Sequence, residues 1–444
     1  MGSQFFAVVG FLILPSLAWG GFATQFSLTM GEGYSDNIFF SKDKEHDFVT
    51  IIIPMVSFLY APDGQVAPAL SLSLSPNGQV FARNSQLSNF GENLVLNGAY
   101  SYQYSPRLSF YSSNNLQRVG ETRAVGLGNE EFFQVRVPVA PPPPSAEAVP
   151  GSARNLKNFI TGGDQLINYF SLQGSYLYRP DVSFSGGYTN TYTNFIDQGG
   201  SELFQTIGAR GEYKWRQDHN LHAGYFISLA KARDGDTNYI HNIDVGDDYF
   251  TGYKLQLTPT LALAASTGLS FNIGNNGPRV ANNTNLTITK LWETATLIGG
   301  VQKGLTPSYG VSGISDTTSV STNFLMRFTE KISINAGVNF SLFDTEDVNF
   351  KTFQGTLGLQ YLIAPWLSSA LSYNFRWLDS GSGATNTDLL TKGVVKANTL
   401  VFTLTSSFDL WPNVGFGTSG PNRSTIVSNL RTPFPIVPSS PTKP

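Results

Sequence analysis

Arg210, Glu212 and Lys214 stand two residues apart in a chain whose charged residues make up only 13% of the total. In an extended strand that spacing puts all three side chains on one face. Lining a pore, such a ladder biases which ions or solutes pass. Lys254, Arg327 and Arg376 occupy comparable places on the polar side of alternating segments and complete a candidate pore lining. The plainer reading of all six is solvated charge on a wet wall.

Other chemistry is poorly supplied. His46, His219, His222 and His241 show no metal-ligand spacing, and no serine lies in a nucleophile-elbow pattern. Asp234, Asp236, Asp244, Asp247 and Asp248 are of the type that binds calcium. They lack the fixed spacing of a calcium loop and read as solubilising. No metal, cofactor or enzymatic turnover is expected. A hydrolase site assembled from distant strands is the exception that motif reading does not reach.

The elements that would position these residues alternate. From Lys331 to Phe343, Ile332, Ile334, Ala336, Val338, Phe340 and Leu342 point one way, and Ser333, Asn335, Gly337, Asn339 and Ser341 the other. The polar face is small, uncharged and glycine-bearing, as a water-filled interior permits. Segments of this kind predict about eighteen strands, among them 24–34, 47–60, 65–81, 240–257 and 395–409.

An eight-residue turn motif recurs between them. "QYSPRLSF" at 103–110 returns as "LYRPDVSF" at 177–184, "QLTPTLAL" at 256–263 and "LIAPWLSS" at 362–369, and without its proline as "RFTEKISI" at 327–334. Proline fixes one backbone torsion and withholds an N–H, so strand pairing stops there. Tight turns alternate with longer polar loops such as "FSKDKEHD" and "ARDGDTN". Short turns at one end and long loops at the other predict an all-β transmembrane antiparallel barrel with short periplasmic turns and longer extracellular loops. Tyr60, Tyr104, Tyr178, Trp215, Trp292, Phe328 and Trp366 would then form an aromatic girdle at the short-turn rim.

Export fits the ends of the chain. Residues 1–20, "MGSQFFAVVGFLILPSLAWG", have the apolar core and small residues of a secretory signal, without the usual preceding basic residue. Residues 21–410 are expected to form the barrel, with a proline-rich loop at 118–162 and a proline-rich periplasmic tail at 411–444. The 444 residues include no cysteine, so closure of the sheet must replace disulfides. The dispersed basic residues exclude a nucleic-acid footprint. Pro138 to Pro150 form a stiff stretch that either stays on the surface or narrows the pore.

At "GYSDNIFF", Gly33 to Phe40, and at "LWETATLIGGVQKGLTPSYG", Leu291 to Gly310, the chain resembles outer-membrane β-barrel families associated with bacterial exopolysaccharide and exosortase gene clusters. The resemblance implies a porin-like barrel in the bacterial outer membrane, serving passive passage of hydrophilic solutes or export of a polysaccharide. Lipid and the barrel-insertion machinery are its implied partners. It implies no catalytic residues. One departure is that the chain runs on past Phe408, the expected equivalent of the usual terminal aromatic residue. A structural barrel with a blocked lumen, or a sheath around an electron-transfer cytochrome, are the alternatives.

Overall fold

A computed structural model of the chain describes residues 20–40, 42, 44–62, 69–119, 164–196, 199–216, 219–231, 235, 237–251, 261–274, 278–307, 314–344, 349–380 and 393–411. Residues 1–19, where the signal is expected, residues 120–163, Lys254 and residues 412–444 lie outside them.

The described strands are β1 (Gly20–Ser35), β2 (Asp47–Pro62), β3 (Ala69–Phe81), β4 (Asn89–Ser105), β5 (Leu108–Val119) and β6 (Gln165–Arg179). They continue as β7 (Val182–Phe195), β8 (Ser201–Arg216), β9 (His219–Lys231), β10 (Thr237–Thr251), β11 (Leu261–Gly274) and β12 (Arg279–Leu291). The last six are β13 (Ala295–Pro307), β14 (Ile314–Arg327), β15 (Ile332–Asp344), β16 (Asn349–Ala364), β17 (Leu367–Ser380) and β18 (Gly393–Trp411). Every strand pairs antiparallel with its sequence neighbours, and β1 pairs with β18 from Thr24↔Trp411 to Ser35↔Thr399. The 18-stranded sheet is therefore a closed cylinder with no free edge.

The expected strands are found within a few residues of their sequence bounds. The main differences are β3, described from Ala69; β10, described to Thr251; β12, expected at 284–292 and beginning at Arg279; and β14, expected at 318–329 and beginning at Ile314. The residues that follow β10 to 260 are outside the described set. A 13-residue strand such as β15 rises about 3.4 Å per residue and, tilted by about 40°, spans about 34 Å, more than the roughly 25 Å apolar band of an outer-membrane barrel.

Alternation sorts the faces as the sequence implies. Met30, Leu172, Ile207, Val338, Leu357 and Leu400 are exposed on the convex face, where side chains splay apart. Ser27, Thr29, Thr189, Thr206, Ser228 and Thr403 are buried on the concave face, where they crowd. Hydroxyl pairs cross the strands there: Thr29 Oγ1 with Thr405 Oγ1 at 2.8 Å, Ser113 Oγ with Ser171 Oγ at 2.7 Å and Thr206 Oγ1 with Ser228 Oγ at 2.8 Å. Each contributes a few tenths to about 1 kcal/mol to its strand pair.

The repeated turn has a definite mechanism. Register shifts fall between Gln103 and Ser105, Leu177 and Arg179, Lys214 and Arg216, and Leu362 and Ala364. Each skips one residue: Tyr104, Tyr178, Trp215 or Ile363, all exposed. The bulge turns that side chain out at the rim. Proline is not what closes the turn in every copy. Ser105 Oγ accepts from the N–H groups of Arg107 at 3.3 Å and Leu108 at 3.1 Å. In the copy without proline, Thr329 Oγ1 accepts from Lys331 at 3.2 Å and Ile332 at 3.1 Å. The small hydroxyl residue supplies a local acceptor that ends the ladder in both. Most of "QLTPTLAL" lies outside the described residues.

Tyr104, Tyr178, Trp215, Trp292, Phe328 and Trp366 are exposed at this same end. Basic side chains cover three of them: Arg216 over Trp215 at 4.5 Å, Lys290 over Trp292 at 5.8 Å and Arg179 over Tyr178 at 5.9 Å. Tyr60 departs from the expected girdle. It pairs in register with Leu70 and, unlike the other six, is only 3% exposed.

Candidate functional site

The concave wall carries the polar residues that meet anything inside the barrel. Arg210, Glu212 and Lys214 share the inward parity of the buried Thr206 on β8, as their spacing requires. Arg210 Nε lies 3.3 Å from Glu212 Oε1, and Glu212 Oε2 accepts from Ser183 Oγ and Asn220 Nδ2, each at 3.3 Å. The carboxylate thus couples β7, β8 and β9 side by side. On the neighbouring strands His222 Nε2 faces Asp244 Oδ2 at 3.7 Å. Phe226 lies across Gly208, where a Cβ would overlap the ring, so glycine there is a spatial requirement.

The six candidate pore residues do not form one ring. Lys214 and Arg327 lie near the short turns, Arg210 and Glu212 higher on β8, and Arg376 far up β17 toward the long loops. Lys254 is outside the described residues. Charge is spread along the lumen axis because strand position, not residue type, sets height. The aspartate cluster is likewise divided by the sheet. Asp244 faces inward to His222, while Asp247 faces outward and meets His219 Nδ1 at 2.6 Å beside Trp215. Among the described residues no group of His, Asp and Glu could hold a metal ion.

A second feature of the interior was not anticipated. Val49, Ile51 and Ile53 of β2 face inward in register with Gly33, Gly31 and Thr29 of β1, so β2 is apolar on both faces. They do not meet water. The β1–β2 loop turns in over them, and Ile38 joins Val49, Ile51, Ile53, Phe81 and Val401 in one buried cluster, with Phe39 and Leu87 packed against it. Ile38 is 1% and Phe40 3% exposed. Burying each large apolar side chain contributes about 1.5–3 kcal/mol, which favours the folded-in loop. The legible signal was the run "IIIPM" at 51–55, where polar alternation fails.

Polar contacts hold the loop at both ends. Asp36 accepts from the Asn398 N–H at 2.6 Å, Asn398 Nδ2 at 2.9 Å and Lys44 Nζ at 2.7 Å. Asn37 Nδ2 donates to the Lys396 carbonyl at 2.9 Å. At the far end Asp47 accepts from the N–H groups of Arg83 at 3.0 Å and Asn84 at 2.9 Å, which ties in the β3–β4 loop. Phe40 has φ of 48°, a left-handed conformation that a bulky residue keeps only when its surroundings impose it. Its ring lies 4.9 Å from the Arg376 guanidinium.

Burial opposes ionisation of Asp36, but the Asn398 amide, the Lys44 ammonium and the Asn398 side chain outweigh it and hold its carboxyl below the usual range. Its stabilisation is therefore present above the ordinary carboxylate range and lost as pH falls through the lowered value. Urea midpoints of wild type and Asp36→Asn should differ at neutral pH and converge in acid. Equal midpoints at neutral pH would remove Asp36 from the latch.

No family model matches the chain, and no curated protein does. Solved structures do. The outer membrane protein OpdK from Pseudomonas aeruginosa is 12% identical, with 87% of this chain and 99% of that one covered at a TM-score of 0.43. OccK2 (OpdF) from the same organism, solved in complex with glucuronate, is 11% identical over 88% of this chain and 98% of its own, at 0.44. Acinetobacter baumannii OccAB3 is 11% identical over 87% and 99%, also at 0.44. The class of this protein rests on its own pairing and faces: a closed 18-stranded antiparallel barrel with an apolar exterior and a polar inner wall.

Proposed function

We propose that this protein is a channel of the bacterial outer membrane that lets small hydrophilic solutes pass without turnover chemistry. The observation that carries the reading is the two-faced wall, apolar outside and hydroxyl-, amide- and charge-bearing inside. Taking a polar solute across hydrocarbon costs several kcal/mol for each unsatisfied hydrogen-bonding group. A hydrated lumen removes that cost, and an 18-stranded cylinder is wide enough to hold one.

The inward loop favours small solutes over a polysaccharide chain, because it takes up lumen beside β18, β1, β2 and β3. The same crowding weighs against a sheath around a cytochrome. The resemblance to exopolysaccharide-associated barrels supports polysaccharide export as the second reading, and a polymer would need that loop displaced. Refolded protein in a planar bilayer should give stepwise conductance. Absence of steps at protein levels that saturate insertion, both in the full chain and in a variant whose β1–β2 loop no longer packs inward, would exclude a pore and leave a structural barrel.

A further inference from the structure

We propose that the β1–β2 loop is the constriction that sets the solute size limit, with Ile38 and Phe40 as its wedge and Arg376 as the polar edge that solutes pass. The inference rests on the channel reading above and adds the residues that limit passage. Three independent observations converge on it. The loop joins the inner wall through the Ile38 cluster, whose wall members Val49, Ile51 and Ile53 all point inward. Asp36 and Asn37 fasten it to the backbone of β18, and Asp47 fastens its far end to the β3–β4 loop. Phe40, held at a left-handed torsion, reaches Arg376 on β17, so the loop extends over the inner wall beyond its own hairpin.

The arrangement has a physical logic. A loop held by a single contact would sample open states, and its exclusion limit would be diffuse. Polar anchors at both ends with an apolar pad between them define one position. The wall is built to receive the pad, since inward Val and Ile in a water-filled lumen would otherwise be exposed. The pairing of ring and guanidinium gives the inner end of the loop an amphipathic edge, one side apolar and the other cationic.

The test compares wild type with Ile38→Ser/Phe40→Ser, after both show the heat-modifiable gel mobility of a folded barrel. Single-channel conductance should rise severalfold in the variant, and liposomes carrying it should admit larger neutral sugars. Phe40→Ala, which leaves Ile38 and the anchors in place, serves if the double variant does not fold. A second readout does not depend on conduction. The chain has no cysteine, so Val49→Cys alone reports the wall beneath the loop. That thiol should resist a membrane-impermeant maleimide, and should react once Ile38 and Phe40 are serine; Asn339→Cys is the lumen-facing control.

A silent wild type with a conducting variant also supports the proposal, as complete closure by the loop. A conducting wild type with an unchanged variant overturns the constriction and leaves the channel standing. If neither conducts while the cysteine becomes reactive, the loop covers the wall but the channel reading fails, and the constriction with it.

Discussion

Val338→Arg is expected to destabilise the barrel by about 2–4 kcal/mol, whereas Asn339→Arg, one residue on, should change it by less than about 1 kcal/mol. Val338 lies at the middle of β15, 47% exposed on the convex face, opposite Thr322 and Gly355 on its neighbours. A guanidinium there stands in hydrocarbon, too far from either rim to reach head groups. Asn339 points into the lumen, opposite Ser321 and Gln354, where water solvates the charge. Urea unfolding in lipid vesicles measures both variants. Equal penalties would mean that the two faces have been assigned wrongly, or that the lumen is dry at that height.

The second large effect concerns closure. A chain ending at residue 392 lacks β18 and leaves β1 and β17 as free edges, because β18 pairs with both along its length. The row of unpaired N–H and C=O groups on each edge would then face lipid, which no membrane-spanning sheet tolerates. Complete loss of the heat-modifiable folded form is expected. A chain ending at Trp411 keeps the whole closure, and Phe408 still stacks on Trp366 across the rim, with centroids 6.0 Å apart. It should fold and insert like the full chain. Failure of that shorter chain would show that residues after 411 are needed for assembly, and that Phe408 does not replace the usual terminal aromatic residue.

Much of this architecture is legible in the amino-acid order, for a local reason. Which face a strand residue occupies depends only on parity, so Arg210, Glu212 and Lys214 could be placed on one wall from their spacing. Turn positions are equally local, since a bulged residue and, in different copies, a small hydroxyl or a proline suffice to end pairing. Within the turn motif, however, proline is dispensable where Ser105 or Thr329 supplies the acceptor that closes the turn. Tyr60 shows the limit of the aromatic rule, because residue type and rim position do not decide how far a ring is exposed.

Properties that depend on distant segments were not legible. Parity assigns the pore candidates to the lumen but not to heights within it, and the five that are described stand dispersed along its axis. Two aspartates only three residues apart, Asp244 and Asp247, serve opposite faces with different histidine partners. The β1–β2 loop is the plainest case. "GYSDNIFF" stood out as a motif, and "IIIPM" broke the alternation, yet nothing local joins Ile38 to Phe81 and Val401 or Asp36 to Asn398.

Parity and turn chemistry act over a few residues, so the amino-acid order alone specifies the strands, their two faces and the alternating connections. Closure of the cylinder brings β18 against β1 and folds a loop against a wall made by four strands. That step alone decides what stands inside the lumen, because it is the first to bring residues hundreds of positions apart within hydrogen-bonding distance.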